Sequence, residues 1–394
     1  MPEQPIGEIP PLDGSLPASA GTGNGQGLSL YVHVPYCRVR CGYCDFNTYT
    51  ADELGPGANR EDYREMISRE LDLSTRVLAE VGAGDREVGT IFFGGGTPTL
   101  LPAEVLAGVM DDIRARYRLS PDVEVTTEAN PDTLNPAYLD TLASAGFTRI
   151  SVGMQSAVPH VLATLDRTHD PAKIPDVARW VKATGLELSL DLIYGTPGES
   201  IADWRASLDS ALAADVDHVS AYSLIVEPGT KMGAMVRRGQ LPMPDEDDLA
   251  DKYEIADAAM TAAGLRWYEV SNWSKTPETR CEHNMAYWRN ADWWGFGRVR
   301  TPTSGVCGSG TRSIRGPGPT GCSAGTPRRS VAKCSRSRPG RSSGSCSQPA
   351  STPNCRWIRS PPAAKRRSGR SSSRDSSTPR RSPRAVSPRP CRDG

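Results

Sequence analysis

Strand-like and helix-like stretches take turns over two-thirds of this chain, and that alternation restricts its fold more than any other feature. Apolar alternation marks strands at Leu28–Val34, Val88–Phe93, Val123–Glu128, Arg149–Gly153, Leu188–Ile193, His218–Ile225 and Trp267–Val270. Between them, helix-periodic stretches cover Ala58–Val81, Pro102–Tyr117, Asn135–Ala145, Pro171–Thr184, Ile201–Ala214 and Glu246–Ala263. In the first of these, Tyr63, Ile67, Leu71 and Leu78 return near one face. Such alternation implies a parallel α/β sheet with helical crossovers. About six units fit between residues 28 and 230, and right-handed crossovers curl them into a complete or partial (β/α) barrel. An open doubly wound sheet is the alternative. In either case the working site belongs at the C-terminal strand ends.

Charge divides the chain a second way. Its 394 residues carry 46 basic and 46 acidic side chains. Residues 298–394 hold 20 Arg, 2 Lys and 2 Asp, a charge of +20 that leaves −20 on residues 1–297. This last segment has 21 Ser but no Leu, Phe, Tyr, Met, His or Glu, so it has almost nothing to bury against the entropy of ordering. Three readings fit it: a disordered basic tail, a nucleic-acid-binding tail, or translation out of frame. The third is open to a direct check. Codons exist for Arg298–Arg312 that, with one added cytosine, read Pro-Gly-Ala-His-Ser-His-Val, an ordinary globular sequence. The expected organisation is a flexible extension at 1–27, a barrel at 28–230, the start of a C-terminal domain at 231–297, and the tail.

No apolar run reaches the roughly 18 residues of a membrane span, and Met1–Gly27 lacks the basic start and apolar centre of a secretory signal. Ten cysteines in a chain this long do not suggest a disulfide scaffold; three fall within eight residues. The expected setting is reducing and cytoplasmic.

Cys37, Cys41 and Cys44 form a Cys-x3-Cys-x2-Cys loop directly after the first strand. Soft thiolates select zinc or an iron–sulfur cluster over hard cations. Three ligands on a cubane of four irons leave one iron open for a chelating guest. The alternative is structural zinc, with His33 completing a Cys3His set. Cys281 stands alone and is expected to be a buried thiol. Farther on, Gly94-Gly95-Gly96-Thr97 ends the second expected strand, where glycines let backbone amides approach a ligand and Thr97 adds a donor.

The stretch from Tyr31 through Cys37, Cys41, Tyr43 and Cys44 to Asn47 resembles the signature of the radical S-adenosylmethionine superfamily. More narrowly, it is similar to the group of oxygen-independent coproporphyrinogen III dehydrogenase and its relatives, the haem chaperones. That resemblance runs from about Leu28 to Gly297 and implies a (β/α) barrel of the radical S-adenosylmethionine type. It implies a [4Fe–4S] cluster on Cys37, Cys41 and Cys44, whose open iron binds the amino and carboxylate groups of S-adenosylmethionine. The reduced cluster of such proteins can cleave the sulfonium to a 5′-deoxyadenosyl radical. Residue by residue, the family's adenosylmethionine contacts fall on Tyr31, Tyr43, Gly95, Gly96, Thr97, Glu128, Gln155, Arg167 and Asp191.

Two details place the chain on the chaperone branch. The dehydrogenases carry a further cysteine two residues after the third ligand, where this chain has Phe46. The chaperones carry a His-Asn-x-x-Tyr-Trp motif linked to haem binding, matched here by His283, Asn284, Tyr287 and Trp288. An imidazole can ligate haem iron, and the two aromatics offer flat apolar surface for a porphyrin. The resemblance thus implies a haem chaperone that passes haem to apo-haemoproteins, with peripheral membrane association and no specific nucleic acid. Its alternative is the enzyme converting coproporphyrinogen III to protoporphyrinogen IX. Family members continue past Gly297 into a Gly-Ala-His-Ser segment and a helical domain, which this chain lacks.

Overall fold

A computed structural model of the chain describes residues 27–50 and 60–297. The expected extension (but for Gly27), the start of the first expected helix and the basic tail lie outside the described residues. Within them the elements run β1 (Leu28–Val34), α1 (Tyr63–Glu80), β2 (Val88–Gly95), α2 (Ala103–Arg114), β3 (Leu119–Ala129) and α3 (Pro136–Ser144). Next come β4 (Arg149–Gln155), α4 (Pro159–Thr164), α5 (Ile174–Ala183), β5 (Glu187–Tyr194), α6 (Ile201–Ala213) and β6 (His218–Ser223). The order closes with α7 (Lys231–Arg237), α8 (Glu246–Ala262), β7 (Arg266–Glu269), β8 (Asn272–Ser274), α9 (Glu282–Trp288) and β9 (Asp292–Phe296).

All nine strands join one sheet in the order β7-β8-β6-β5-β4-β3-β2-β1-β9. From β6 across to β9 every pair is parallel, while β8 runs antiparallel to both β6 and β7. Because β7 and β9 end the order without pairing to each other, the barrel is partial, not complete. Strands from 231–297 therefore extend both edges of the sheet built by 28–230.

The period of two assigns each face its task. Leu30 and Val32, Ile91 and Phe93, Ile150 and Val152, Leu188 and Leu190, and Val219 and Ala221 are buried in the main core under the helices. Helical spacing supplies the other half of that core: Ile67 and Leu71 from α1, Leu106, Val109 and Ile113 from α2, Val177 and Val181 from α5, and Trp204 and Leu208 from α6. Each fully buried Leu or Ile contributes about 1.5–3 kcal/mol. Local signals set the helix starts. Asn135 accepts from Tyr138 N before α3, and Ser200 with Asp203 forms a capping box before α6. The alternate positions carry Tyr31, Thr126, Glu128, Ser151, Asp191, His218 and Ser220, which face inward and line a single cavity of about 570 Å³.

Candidate functional site

The loop leaving β1 is tied at its neck. Tyr36 and Tyr49 form a bridge, Cys37 N donates to Tyr49 O at 3.0 Å, and Tyr49 N donates to Pro35 O at 2.7 Å. At its tip Cys44 N donates to Cys41 O at 3.2 Å, and Gly42 O accepts from Met232 N of α7 at 2.8 Å. Gly42 has no room for a side chain, since a Cβ there would stand 2.5 Å from Asp166 Oδ2. Cys37, Cys41 and Cys44 are held by these ties at the cavity mouth, half-buried and free of disulfides. Burial, and then the neighbouring Cys44, pushes the Cys37 thiol up to about 11, and burial raises Cys44 as well. The chain thus holds thiols that only a strong electrophile such as a metal would ionise at neutral pH.

Zinc with His33 as fourth ligand does not fit. His33 Nε2 lies 3.0 Å from the Asn47 carbonyl, which can only accept, so Nε2 carries the proton. Nδ1 must then accept from Tyr31 OH at 3.1 Å, which leaves no lone pair for a metal. Among the described residues, no three His, Cys, Asp or Glu side chains close around one ion. Three thiols spread around a cavity mouth suit a cluster of several metals, one corner of which has no ligand from the loop.

Behind the loop, the inner faces of β2 to β5 bring the expected contacts together. Tyr31, Tyr43, Gly95, Gly96, Thr97, Glu128, Gln155, Arg167 and Asp191 all line the one cavity. Arg167, on the loop after α4, sets Nη1 at 3.7 Å from Cys41 Sγ and donates from Nη2 to Gly153 O at 2.6 Å; its buried Nε has no partner. Asp191 stands in the middle of β5 and not at its end. Ser151 Oγ lies 2.8 and 3.0 Å from its two oxygens, its single proton shared between them. Burial pushes Asp191 up to about 6 despite that serine, and pushes Glu128 up to about 7 with Asp191 adding to the shift. Both carboxylates are thus poised to gain from a cation or from hydroxyl donors. Gln155 closes β4 at φ 61°, a left-handed backbone rare for a side chain of its size.

The glycine run works differently from the expectation that its amides meet a ligand. Gly95 N donates to Glu128 Oε2 at 2.9 Å and Gly96 N to Val34 O at 2.8 Å, so both amides are spent inside the protein. Gly95 is required for its φ of 110°, and Gly96 because a Cβ there would stand 2.6 Å from Tyr36 O.

The haem-linked motif is placed less as expected. Residues 279–288 close the cavity from below. Glu124 accepts from Glu282 N at 2.9 Å and His283 N at 3.0 Å, capping α9, while Arg149 pairs with Glu124 and Glu187 and donates to the carbonyls of Thr279 and Arg280. His283 is 3% exposed and stacks on Phe92 at 5.1 Å between ring centroids. Thr90 donates to Ser29, so it accepts from His283 Nδ1 at 2.8 Å, and Nε2 in turn accepts from Tyr287 OH at 3.1 Å. Burial holds the imidazole neutral, down to about 3. As it stands, His283 offers iron no free lone pair. Asn284 and Tyr287 line the cavity, whereas Trp288 points out of it, is 57% exposed and donates to Glu269 Oε2 at 3.1 Å. Cys281 is buried as expected, 3.6 Å from Glu124 Oε1. Sequence reasoning missed Glu124, Arg149, Ser151 and His218; the first three sit an even number of positions along their strands from Glu128 or Gln155, whereas β6, which carries His218, held no residue that was singled out.

Known proteins resemble the chain in fold and sequence alike. Residues 31–211 match the Radical SAM superfamily, which sets the class of protein that this barrel and its cysteine loop define. The heme chaperone HemW of Mycobacterium tuberculosis is 50% identical over 274 residues, 69% of this chain and 68% of the relative. Its Escherichia coli counterpart is 37% identical over 271 residues, 68% of each chain. Among solved structures, the coproporphyrinogen III oxidase HemN of Escherichia coli superposes with a TM-score of 0.59 at 22% identity, over 71% of this chain and 65% of that one. The chain belongs to the HemW haem chaperone family.

Proposed function

We propose that this protein is a haem chaperone that holds a [4Fe–4S] cluster on Cys37, Cys41 and Cys44, binds S-adenosylmethionine in the cavity behind them, and delivers haem to apo-haemoproteins. The observation that carries this reading is the 50% identity with a haem chaperone over 274 residues, joined to a cavity whose three thiols, paired carboxylates and arginine with an unpartnered Nε suit cluster and cofactor together. When bound, the cluster supplies the electron for opening the sulfonium. The chain's own residues do the holding: Arg167 places positive charge beside Cys41, Glu128 and Asp191 await donors from the nucleoside, and Tyr31 and Tyr43 wall the space between. With His283 engaged, Tyr287 and Trp288, both partly exposed, are the members of the haem-linked motif that offer surface to a porphyrin. The dehydrogenase reading rests on fold likeness alone.

Residues 28–297 would carry these tasks, with 28–230 as barrel and 231–297 completing its edges and floor. No helix among the described residues is long and apolar enough to cross a membrane. A cytoplasmic protein that meets its recipients at the membrane surface, without specific nucleic-acid binding, belongs to the same proposal. Anaerobic reconstitution tests it. About four iron and four sulfide per chain are expected, lost in Cys41→Ser, together with haem binding and transfer to an apo-haemoprotein. Zinc without sulfide refutes the cluster. Turnover of coproporphyrinogen III to protoporphyrinogen IX refutes the chaperone.

A further inference from the structure

Thr48 lies on the returning arm of the cysteine loop, where both of its neighbours are fixed. Asn47 O accepts from His33 Nε2, Tyr49 pairs across the neck with Tyr36, and Thr48 N donates to Phe46 O at 2.8 Å. Its side chain is 1% exposed and lines the cavity beside Cys37 and Cys44. Even so, Oγ1 has no hydrogen-bond partner of ordinary geometry. A buried hydroxyl with nothing to bond costs folding free energy, and a backbone pinned on both sides cannot turn it out to water. Threonine also restricts χ1 more than serine would, which keeps the hydroxyl aimed.

What the hydroxyl lacks is an acceptor, and the groups beside it are sulfurs. The neck pairing, in which Cys37 N donates to Tyr49 O at 3.0 Å, sets the residue before Tyr49 next to the first of them. Thiols are poor acceptors, whereas thiolates bound to a cluster are good ones.

We infer that Thr48 is a positioning residue for the cluster, its single Oγ1–H shared between the ligated sulfurs of Cys37 and Cys44. This rests on the reading of the cysteines as cluster ligands. Hydrogen bonds to ligating sulfur stabilise the more electron-rich state, so Thr48 raises the reduction potential and makes the cluster easier to reduce.

The test uses the full chain, reconstituted anaerobically, with Thr48→Val and Thr48→Ser compared by reductive titration under electron paramagnetic resonance. Thr48→Val should keep the iron and sulfide content but lose threefold to tenfold in the equilibrium constant for reduction; tenfold is ~59 mV for one electron. Thr48→Ser should restore the wild-type midpoint. If the valine variant takes up less cluster, Thr48→Ala removes the same hydroxyl without placing a methyl against sulfur, and the same shift is expected there. A fully loaded Thr48→Val or Thr48→Ala protein with an unchanged midpoint overturns the inference. So does an unchanged midpoint with weakened S-adenosylmethionine binding, which would make the hydroxyl a cofactor contact. Wild-type protein that forms no cluster refutes the reading of the site instead, and is told apart by its iron and sulfide content.

Discussion

The two faces of this sheet have the same strands and opposite economies. Outward, Leu188, Leu190, Ile150 and Val152 are buried among apolar side chains and need no partners. Inward, every height of the cavity is polar, yet the lower half satisfies itself in all but Thr126 Oγ1, which lies level with Arg149. There Arg149 meets Glu124 and Glu187, His218 meets Ser189 and Tyr268, and His283 meets Thr90 and Tyr287. Toward the C-terminal strand ends the pattern changes. Thr48 Oγ1 and Arg167 Nε are buried without partners, and Glu128 and Asp191 crowd each other's charge. The difference separates stability from function along one axis: the outer face and the floor hold the fold, and the upper inner wall keeps its polar groups for something else.

The largest effect should come from the floor. Arg149→Ala leaves Glu124 and two carbonyls buried without their cation, and urea unfolding of the cluster-free protein should show a loss of about 3–5 kcal/mol. A loss below about 1 kcal/mol would mean that the floor is not structural. Next in size, Leu190→Ala on the outer face should cost about 2–5 kcal/mol by the same measurement. It should leave S-adenosylmethionine affinity of the folded, cluster-loaded protein within about twofold. A tenfold change there would mean that the two faces are not independent.

Much of this division was legible in the sequence. The alternation of Leu188-Ser-Leu-Asp-Leu-Ile shows a strand with one apolar and one polar side, and the spacing of Cys37, Cys41 and Cys44 shows a soft-metal ligand set, with zinc or an iron–sulfur cluster both open until the family resemblance is added. What escaped notice has physical reasons. β8 has three residues, α4 six and α7 seven, too few for a period to emerge. β9 alternates well, as Asp292-Trp293-Trp294-Gly295-Phe296, but which edge it joins is a long-range fact. The attention given to strand ends hid Glu124, Ser151 and Arg149, although counting back by twos from Glu128 and Gln155 would have reached them. The partners of His283 were hidden for a different cause. Its motif suggests a ligand, while its role depends on Thr90 and Phe92, nearly two hundred residues earlier.

A smaller change, with the opposite sign, separates upper wall from floor. Glu128 has a folded value of about 7, above the ordinary carboxylate range near 4.3. Between those values Glu128 binds more protons in the folded chain than in the unfolded one, so its contribution to stability is fully present below about 4.3 and is lost as pH rises through 7. Glu128→Gln should therefore stabilise the cluster-free protein at pH 8, by on the order of 2–3 kcal/mol, and do little at pH 4. The same variant should weaken S-adenosylmethionine binding about tenfold by calorimetric titration, the loss of one hydrogen bond to a charged group. A variant less stable than wild type at pH 8 would show that Glu128 supports the fold, as the floor does.

The smallest expected change concerns haem. His283 already gives its Nδ1 proton to Thr90 and receives Tyr287 at Nε2, so ligating iron would mean breaking that chain from within a buried stack on Phe92. His283→Ala should accordingly unsettle the floor, with unfolding easier by about 2–3 kcal/mol from the cavity and the lost hydrogen bonds. Titrated with haem while still folded, it should show the wild-type Soret position and an affinity within about twofold. Tyr287→Ala and Trp288→Ala, which trim the partly exposed aromatics, should each weaken haem more than that. A Soret shift and a tenfold loss confined to His283→Ala would place an iron ligand in the floor, and the line drawn between the cavity's lower and upper halves would fail at that residue.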